Sequence, residues 1–171
     1  AKPKRTILFV GFAGEEFGLL GAKAFCERHK DKLGKIANLF NRDGGPTPPV
    51  GISVPKAMYD DFVEICKPIK EINPEYPFEV TVAQPRKKPT TMGGTDASVF
   101  AVKGVPTYGF REQDFKGYNF NYGEIWHTER DLYTKSIPEY MEHTSVVTAI
   151  VALGVANLKH QLSREGMYTD Q

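Results

Sequence analysis

The stretch from Arg5 to Gly21, RTILFVGFAGEEFGLLG, constrains this 171-residue chain more than any other. Thr6 to Phe12 is an almost unbroken apolar run rich in β-forming residues, which predicts a strand buried on both faces. Ala13 and Gly14 are small residues suited to a sharp turn. Two adjacent carboxylates follow, Glu15 and Glu16, and then Phe17, Leu20, Gly21, Ala24 and Phe25 recur at helical spacing. The two acids therefore stand where a central strand hands over to a helix. In an open α/β sheet, ligand crevices form at the carboxyl ends of strands. Neighbouring side chains on such a turn diverge, so one carboxylate can bind a metal while the other stands over a metal-bound water. The pair also serves simply to complement the positive end of a helix dipole, and this stretch alone does not separate the two readings.

The balance of 22 basic and 21 acidic residues argues against a nucleic-acid or membrane-surface partner. The most apolar helical stretch, Val146 to Leu158, is too short for a bilayer and carries Thr148 and Asn157. Cys26 and Cys66 lack metal-like spacing and fall on apolar faces of predicted helices, which makes them buried thiols. The opening residues do not read as a signal peptide, and none is expected within this chain. Ala1-Lys2-Pro3-Lys4 leads straight into a core strand that wants neighbours on both edges. The expectation is a single domain over residues 1–171, itself a piece of a larger one.

Along the chain, the first helix extends to about Asp31 and is closed by glycine at Lys32-Leu33-Gly34. Ile36 to Phe40 predicts a second strand, ending at Asn41-Arg42-Asp43-Gly44-Gly45. Val50 to Val54 reads as a short edge strand. Pro55 opens a helix with the inner stripe Met58, Phe62, Ile65, Cys66 and Ile69, which Pro68 should kink or end. Phe78 to Val82 alternates like a strand. Gly93-Gly94-Thr95-Asp96 enters a helix that Gly104-Val105-Pro106 breaks, and a short strand follows through Phe110. Arg111 to Ile125 is a long aromatic loop, of the kind that is usually functional. Ser136-Ile137-Pro138-Glu139 predicts a capping box before a last helix reaching Leu158, followed by a polar tail. Strands alternating with helices give an α/β class with a mixed, largely parallel sheet flanked by helices.

Glu15 and Glu16 follow the first strand, Asp43 follows the second, and His127 precedes the last helix. If those ends lie side by side, all four converge on one crevice. Carboxylate and imidazole donors suit catalytic zinc, which needs an open position for water and a base nearby. Each residue has a plainer explanation: Asp43 before two glycines is what a turn prefers, and His127 beside Trp126 suits a core histidine. His29 and Lys30 read as surface. His143 and His160 have nothing nearby to chelate with.

FVGFAGEEFGLLGAKAF (Phe9 to Phe25) resembles the glutamate-pair motif of the M28 family of zinc aminopeptidases and carboxypeptidases. GGTDASVFAVKGVP (Gly93 to Pro106) is similar to that family's Ser-Asp-His stretch, and WHTERD (Trp126 to Asp131) to its His-Thr-x-x-Asp motif. NRDGG (Asn41 to Gly45) falls where the family has a strand-end aspartate. The resemblance implies the fold of the zinc exopeptidases and roles for named residues. Glu15 would be the general base. Glu16 and His127 would bind one zinc and Asp43 the other. Asp96 and Asp131 would support the ligands from behind, and Arg111 offers a partner for a substrate carboxylate. Ala97 stands where the family often has histidine, and the family's oxyanion tyrosine has no clear counterpart.

The family's remaining ligands, a histidine and a bridging aspartate, precede the glutamate pair. The resemblance therefore implies the C-terminal part of a catalytic domain that binds two zinc ions when complete, with none or one expected in this chain, which alone would be inactive. The implied activity is exopeptidase cleavage of a peptide substrate, foremost as an aminopeptidase, by an exported enzyme. Cyclisation of N-terminal glutamine by the same fold, and a protease-like domain that binds without catalysis, are the alternatives. An uncovered sheet edge would also offer a route to self-association.

Overall fold

The computed structural model describes residues 2–169. Its centre is a three-stranded mixed sheet of order β2-β1-β3, made of β1 (Pro49–Val54), β2 (Glu79–Val82) and β3 (Phe110–Glu112). β1 pairs in parallel with β2, Gly51 opposite Glu79 through Val54 opposite Val82, and antiparallel with β3, Ile52 opposite Phe110. The described residues also form five helices, α1 (Leu20–Arg28), α2 (Lys56–Ile72), α3 (Asp96–Val102), α4 (Tyr122–Ile125) and α5 (Pro138–Asn157), of which α2 and α5 pack on the sheet. This is the α/β architecture expected, but β1 is the central strand and not an edge. Ile52 and Val54 are fully buried on it.

The main core lies between the sheet and the α2–α5 pair. Met58, Phe62, Cys66 and Ile69 of α2 meet Val147, Val151 and Val155 of α5. Burying each large apolar side chain stabilises by roughly 1.5–3 kcal/mol. Gly154 lets the helices approach, because a Cβ there would stand 2.5 Å from Ile65 Cγ2. Pro68 does not end α2, which runs on to Ile72. The buried stripe continues to Ile69, so packing holds the turn that lacks one N–H donor. Leu162 and Met167 also enter this core, and Tyr168 bridges to Arg86, so the tail is packed and not merely polar. A second cluster joins α1 to α3 through Ala22, Cys26, Val99 and Phe100. Both cysteines are free and buried, and burial pushes the Cys66 thiol up to about 12.

Several local expectations need correction. Thr6–Phe12 joins no strand ladder, and Phe9 is 94% exposed. Ile36–Phe40 also lies outside the sheet, held by Leu39 N–H to the Pro106 carbonyl and by Asn38, whose amide bonds Tyr108 in both directions. A strand needs a partner's backbone as well as apolar side chains, and neither run has a continuous partner among the described residues. The first helix starts only at Leu20, and Gly34 sits in a short 3₁₀ turn, Leu33–Lys35, instead of capping it. Ser136 does not cap α5: its hydroxyl donates to the Tyr133 carbonyl, while Glu139 turns to Lys116 and Tyr118. The aromatic loop, expected over Arg111 to Ile125, likewise holds the end of β3 and all of α4. Among the described residues no helix is long and apolar enough to cross a membrane.

Candidate active site

The two glutamates ride on a compact turn. Gly18 and Leu19 N–H both donate to the Glu15 carbonyl, at 2.9 and 2.8 Å, and Gly21 N–H donates to the Ala13 carbonyl at 2.8 Å. The turn requires left-handed backbone at Gly14 (φ 68°) and Gly18 (φ 102°), where glycine carries no steric cost, and also at Leu19 (φ 61°). Gly21 has a separate reason to be glycine. A Cβ there would lie 2.7 Å from both Ala13 N and Ala13 O, so the start of α1 could not close on the turn.

Asp43 sits on the turn leading to β1. Its neighbour Arg42 pairs with Glu112 on β3 and donates to the Thr47 carbonyl at 3.1 Å, which ties this turn to the sheet. His127 follows α4 directly. Asn121 caps that helix by accepting Gly123 N–H at 3.0 Å, and Thr128 closes it by donating its hydroxyl to Ile125 O at 3.0 Å. His127 has φ 57°, a left-handed conformation rare outside glycine and costly enough to need support from its surroundings. The Trp126 ring leans against the imidazole, centroids 4.4 Å apart.

These elements meet. His127 Nε2 lies 2.9 Å from Glu16 Oε1, across 111 residues of sequence. Glu15, Glu16, Asp43, Asp131 and His127 all line one open cleft of about 1140 Å³. Asp96 lies beside it at the start of α3, only 8% exposed, and its Oδ1 has no hydrogen-bond partner among the described residues. Loss of solvent, then the nearby Asp43 carboxylate, push the Asp96 carboxyl above its ordinary value. Glu15 is also raised, first by loss of solvent and then by Asp43, Glu16 and Asp96, with His127 opposing. The acids therefore feel one another. Arg111 does not line the cleft: it stands on β3, 3.5 Å from Glu79 and packed over Gly51.

Sequence reasoning overlooked Arg42, Thr95, Met92, Leu132 and Tyr133, which also form the walls. Thr95 was legible as a helix entry, and its hydroxyl accepts Ala97 N–H at 3.2 Å. Tyr133 carries no signal of its own, because it sits in a one-turn 3₁₀ segment, Tyr133–Lys135.

Glutamate oxygen and histidine nitrogen are donors that zinc favours, and here one of each faces the other in an open cleft. They fit a metal in kind and fall short in number. Among the described residues no three His, Cys, Asp or Glu side chains are gathered closely enough to hold an ion together.

Comparison with known proteins gives one answer. The profile of "Peptidase family M28" matches residues 1–151. Carboxypeptidase Q of Mus musculus is 29% identical over 163 residues, 95% of this chain and 32% of that protein. A probable zinc metalloprotease of Pyrenophora tritici-repentis is 48% identical over 42 residues, 25% of this chain and 10% of that protein. The crystal structure of a peptidase M28 precursor from Shewanella amazonensis superposes with a TM-score of 0.71 at 27% identity, covering 95% of this chain and 34% of that one. The chain spans about a third of the length of the carboxypeptidase Q relatives it matches.

Proposed function

The chain belongs to peptidase family M28, and on that premise we propose that its cleft is part of the active site of a zinc-dependent exopeptidase. The observation that carries the reading is the meeting of Glu16 and His127 at 2.9 Å, with Glu15 and Asp43 in the same cleft. Glu16 and His127 would hold one zinc and Asp43 would contribute to a second. Zinc, when bound, supplies a polarised carbonyl and an acidified water. Since catalytic zinc ordinarily has three protein ligands, further donors must come from the rest of a longer protein, and this chain alone is expected to be inactive.

Glu15 is then placed to accept a proton from the attacking water and to return it to the leaving amine. Asp96 and Asp131 would orient the ligands from behind, as carboxylates do around metal-bound histidines. Trp126 covers one face of the His127 ring.

Of the two ends we favour the amino end, which the motif resemblance implies first; the cleft walls carry Lys23, Arg42 and Lys135 beside Glu15, Glu16, Asp43 and Asp131, so charge by itself does not choose the end. The name carboxypeptidase Q, borne by relatives, points to the other end. Peptides blocked at one terminus decide the matter: the zinc-loaded complete protein should release an amino-terminal residue from carboxyl-amidated peptides and spare amino-acetylated ones. Release from acetylated peptides alone would reverse the assignment. Cyclised product from a Gln-initiated peptide would replace hydrolysis with cyclisation. No turnover of any of these peptides would leave a binding domain.

A further inference from the structure

His127 lies in a long excursion of the chain that leaves the body near Asp114 and returns at Tyr140. Between residues 119 and 139 the only buried side chain is Ile125. The backbone hydrogen bonds inside are local, such as Trp126 N–H to Tyr122 O and Thr128 N–H to Ile125 O, and His127 reaches out to Glu16. Little packing therefore fixes where this segment sits.

Its neck is different. Tyr140 is fully buried and donates its hydroxyl to Asp114 Oδ1 at 2.7 Å, while the Tyr140 hydroxyl oxygen accepts Lys116 N–H at 3.0 Å. Asp114 also accepts Tyr118 N–H at 3.0 Å and Phe120 N–H at 3.2 Å. One residue earlier on α5, Glu139 takes Lys116 Nζ, the Tyr118 hydroxyl and, at 3.1 Å, the Tyr76 hydroxyl. Phe115 packs edge-on to Tyr76 at 4.9 Å. α5 is itself rooted below this point, where His143 faces Asn73 Nδ2 at 2.9 Å and Pro49 O at 3.2 Å.

We propose that Asp114, Lys116 and Tyr118, fastened to Glu139 and Tyr140, form a clasp that sets the position of His127 in the cleft. Tyr140 and Glu139 are then positioning residues; the role rests on the active-site reading above, since position matters there only if His127 is a ligand. The clasp closes a ring whose far side carries His127 at the left-handed third position of the Ile125–Thr128 turn, where Trp126 has φ −55° and ψ 119° and Thr128 N–H donates to Ile125 O at 3.0 Å. The charge states agree with bonds already formed: Asp114 is held below its ordinary value chiefly by the Tyr140 hydroxyl, and Glu139 chiefly by Lys116.

Tyr140→Phe keeps the buried ring and removes both bonds of the hydroxyl. Amide hydrogen exchange in this chain should then quicken at least about tenfold at Phe120, Trp126 and Thr128, the scale of losing a bond to a carboxylate, with Phe62 and Cys66 in α2 unchanged. Unchanged exchange in the excursion would overturn the clasp, and so would an equal rise in α2. If Tyr140→Phe does not fold, Asp114→Asn reads the same amides by the same criteria. In the complete protein the variant should also weaken zinc binding by about 10-fold, the low end for groups that orient a metal ligand. Ser53→Ala is the control there, its hydroxyl bonding only Thr81 within the sheet. Wild-type protein that binds no zinc would sink the active-site reading, while the exchange result would still decide the clasp.

Discussion

Val50–Val54 and Thr6–Phe12 are both short apolar runs, and they have opposite fates. The first is the middle strand of the sheet, with β2 on one side, β3 on the other and the α2–α5 pair behind it. The second is extended without a ladder: Leu8, Phe9 and Val10 face solvent, while Ile7 is half-buried and Phe12 packs against the α1–α3 cluster. Composition does not separate them, because the N-terminal run is at least as hydrophobic. What separates them is supply of neighbours: backbone groups on two edges and side chains on two faces. The candidate site straddles that boundary. Glu15, Glu16 and Asp43 come from the sparsely supported side. His127 comes from an excursion anchored to the well-packed side.

The contrast breaks most visibly under truncation. Phe62→Ala in the α2 stripe should cost about 3–5 kcal/mol of stability, whereas Phe9→Ala should stay within about 0.5 kcal/mol. Urea unfolding of both variants checks this, and a large loss at Phe9 would mean that the N-terminal run is packed in solution.

Glycine substitutions probe the two regions at intermediate cost. Gly154→Val overpacks the α2–α5 contact and should lose about 1–3 kcal/mol. Gly21→Ala drives a Cβ into the Ala13 backbone and should cost a similar amount. Its effect should be concentrated at the glutamate turn, read by amide shifts of Glu15 to Leu19.

Self-association should follow the uncovered run. Concentrated chain should scatter light through pairing of Thr6–Phe12 with another copy, and Phe9→Lys should reduce it, as charges do on exposed edges. Scattering that Phe9→Lys leaves unchanged would place the contact elsewhere.

The smallest expected effect is a pH effect confined to the clasp. Asp114 and Glu139 have folded values below their unfolded ones, so their stabilisation is present above the ordinary carboxylate range and is lost as pH falls through the lowered values. The groups facing them, Lys116, Tyr76, Tyr118 and Tyr140, are all shifted upward and hold one state throughout, while Glu75 stands 3.7 Å from Lys116. Below about pH 4 exchange should quicken at Phe120 and Trp126 before it does in α2. Simultaneous loss would remove the clasp from the account.

Much of this organisation was readable in the residues. The stripe Met58, Phe62, Cys66 and Ile69 declared α2, and Phe78–Val82 declared β2, because both periods are local properties of sequence. The convergence of Glu16 with His127 was reached only through strand-end logic and family resemblance, since nothing in either neighbourhood names the other. The central place of β1 was not legible, because edge and centre depend on which distant segments pair. Nor was the clasp: Glu139 looked like a capping partner for Ser136, and only the fold brings Lys116 and Tyr118 within its reach.

The central claim is that Glu15 moves a proton in a site whose metal is held by other residues. Glu15→Gln preserves shape and removes the proton acceptor, so zinc per protein and peptide turnover should be measured together on the complete protein. The account predicts wild-type zinc content with turnover lowered by about 10²–10⁴-fold. Full zinc content with unchanged turnover would contradict it.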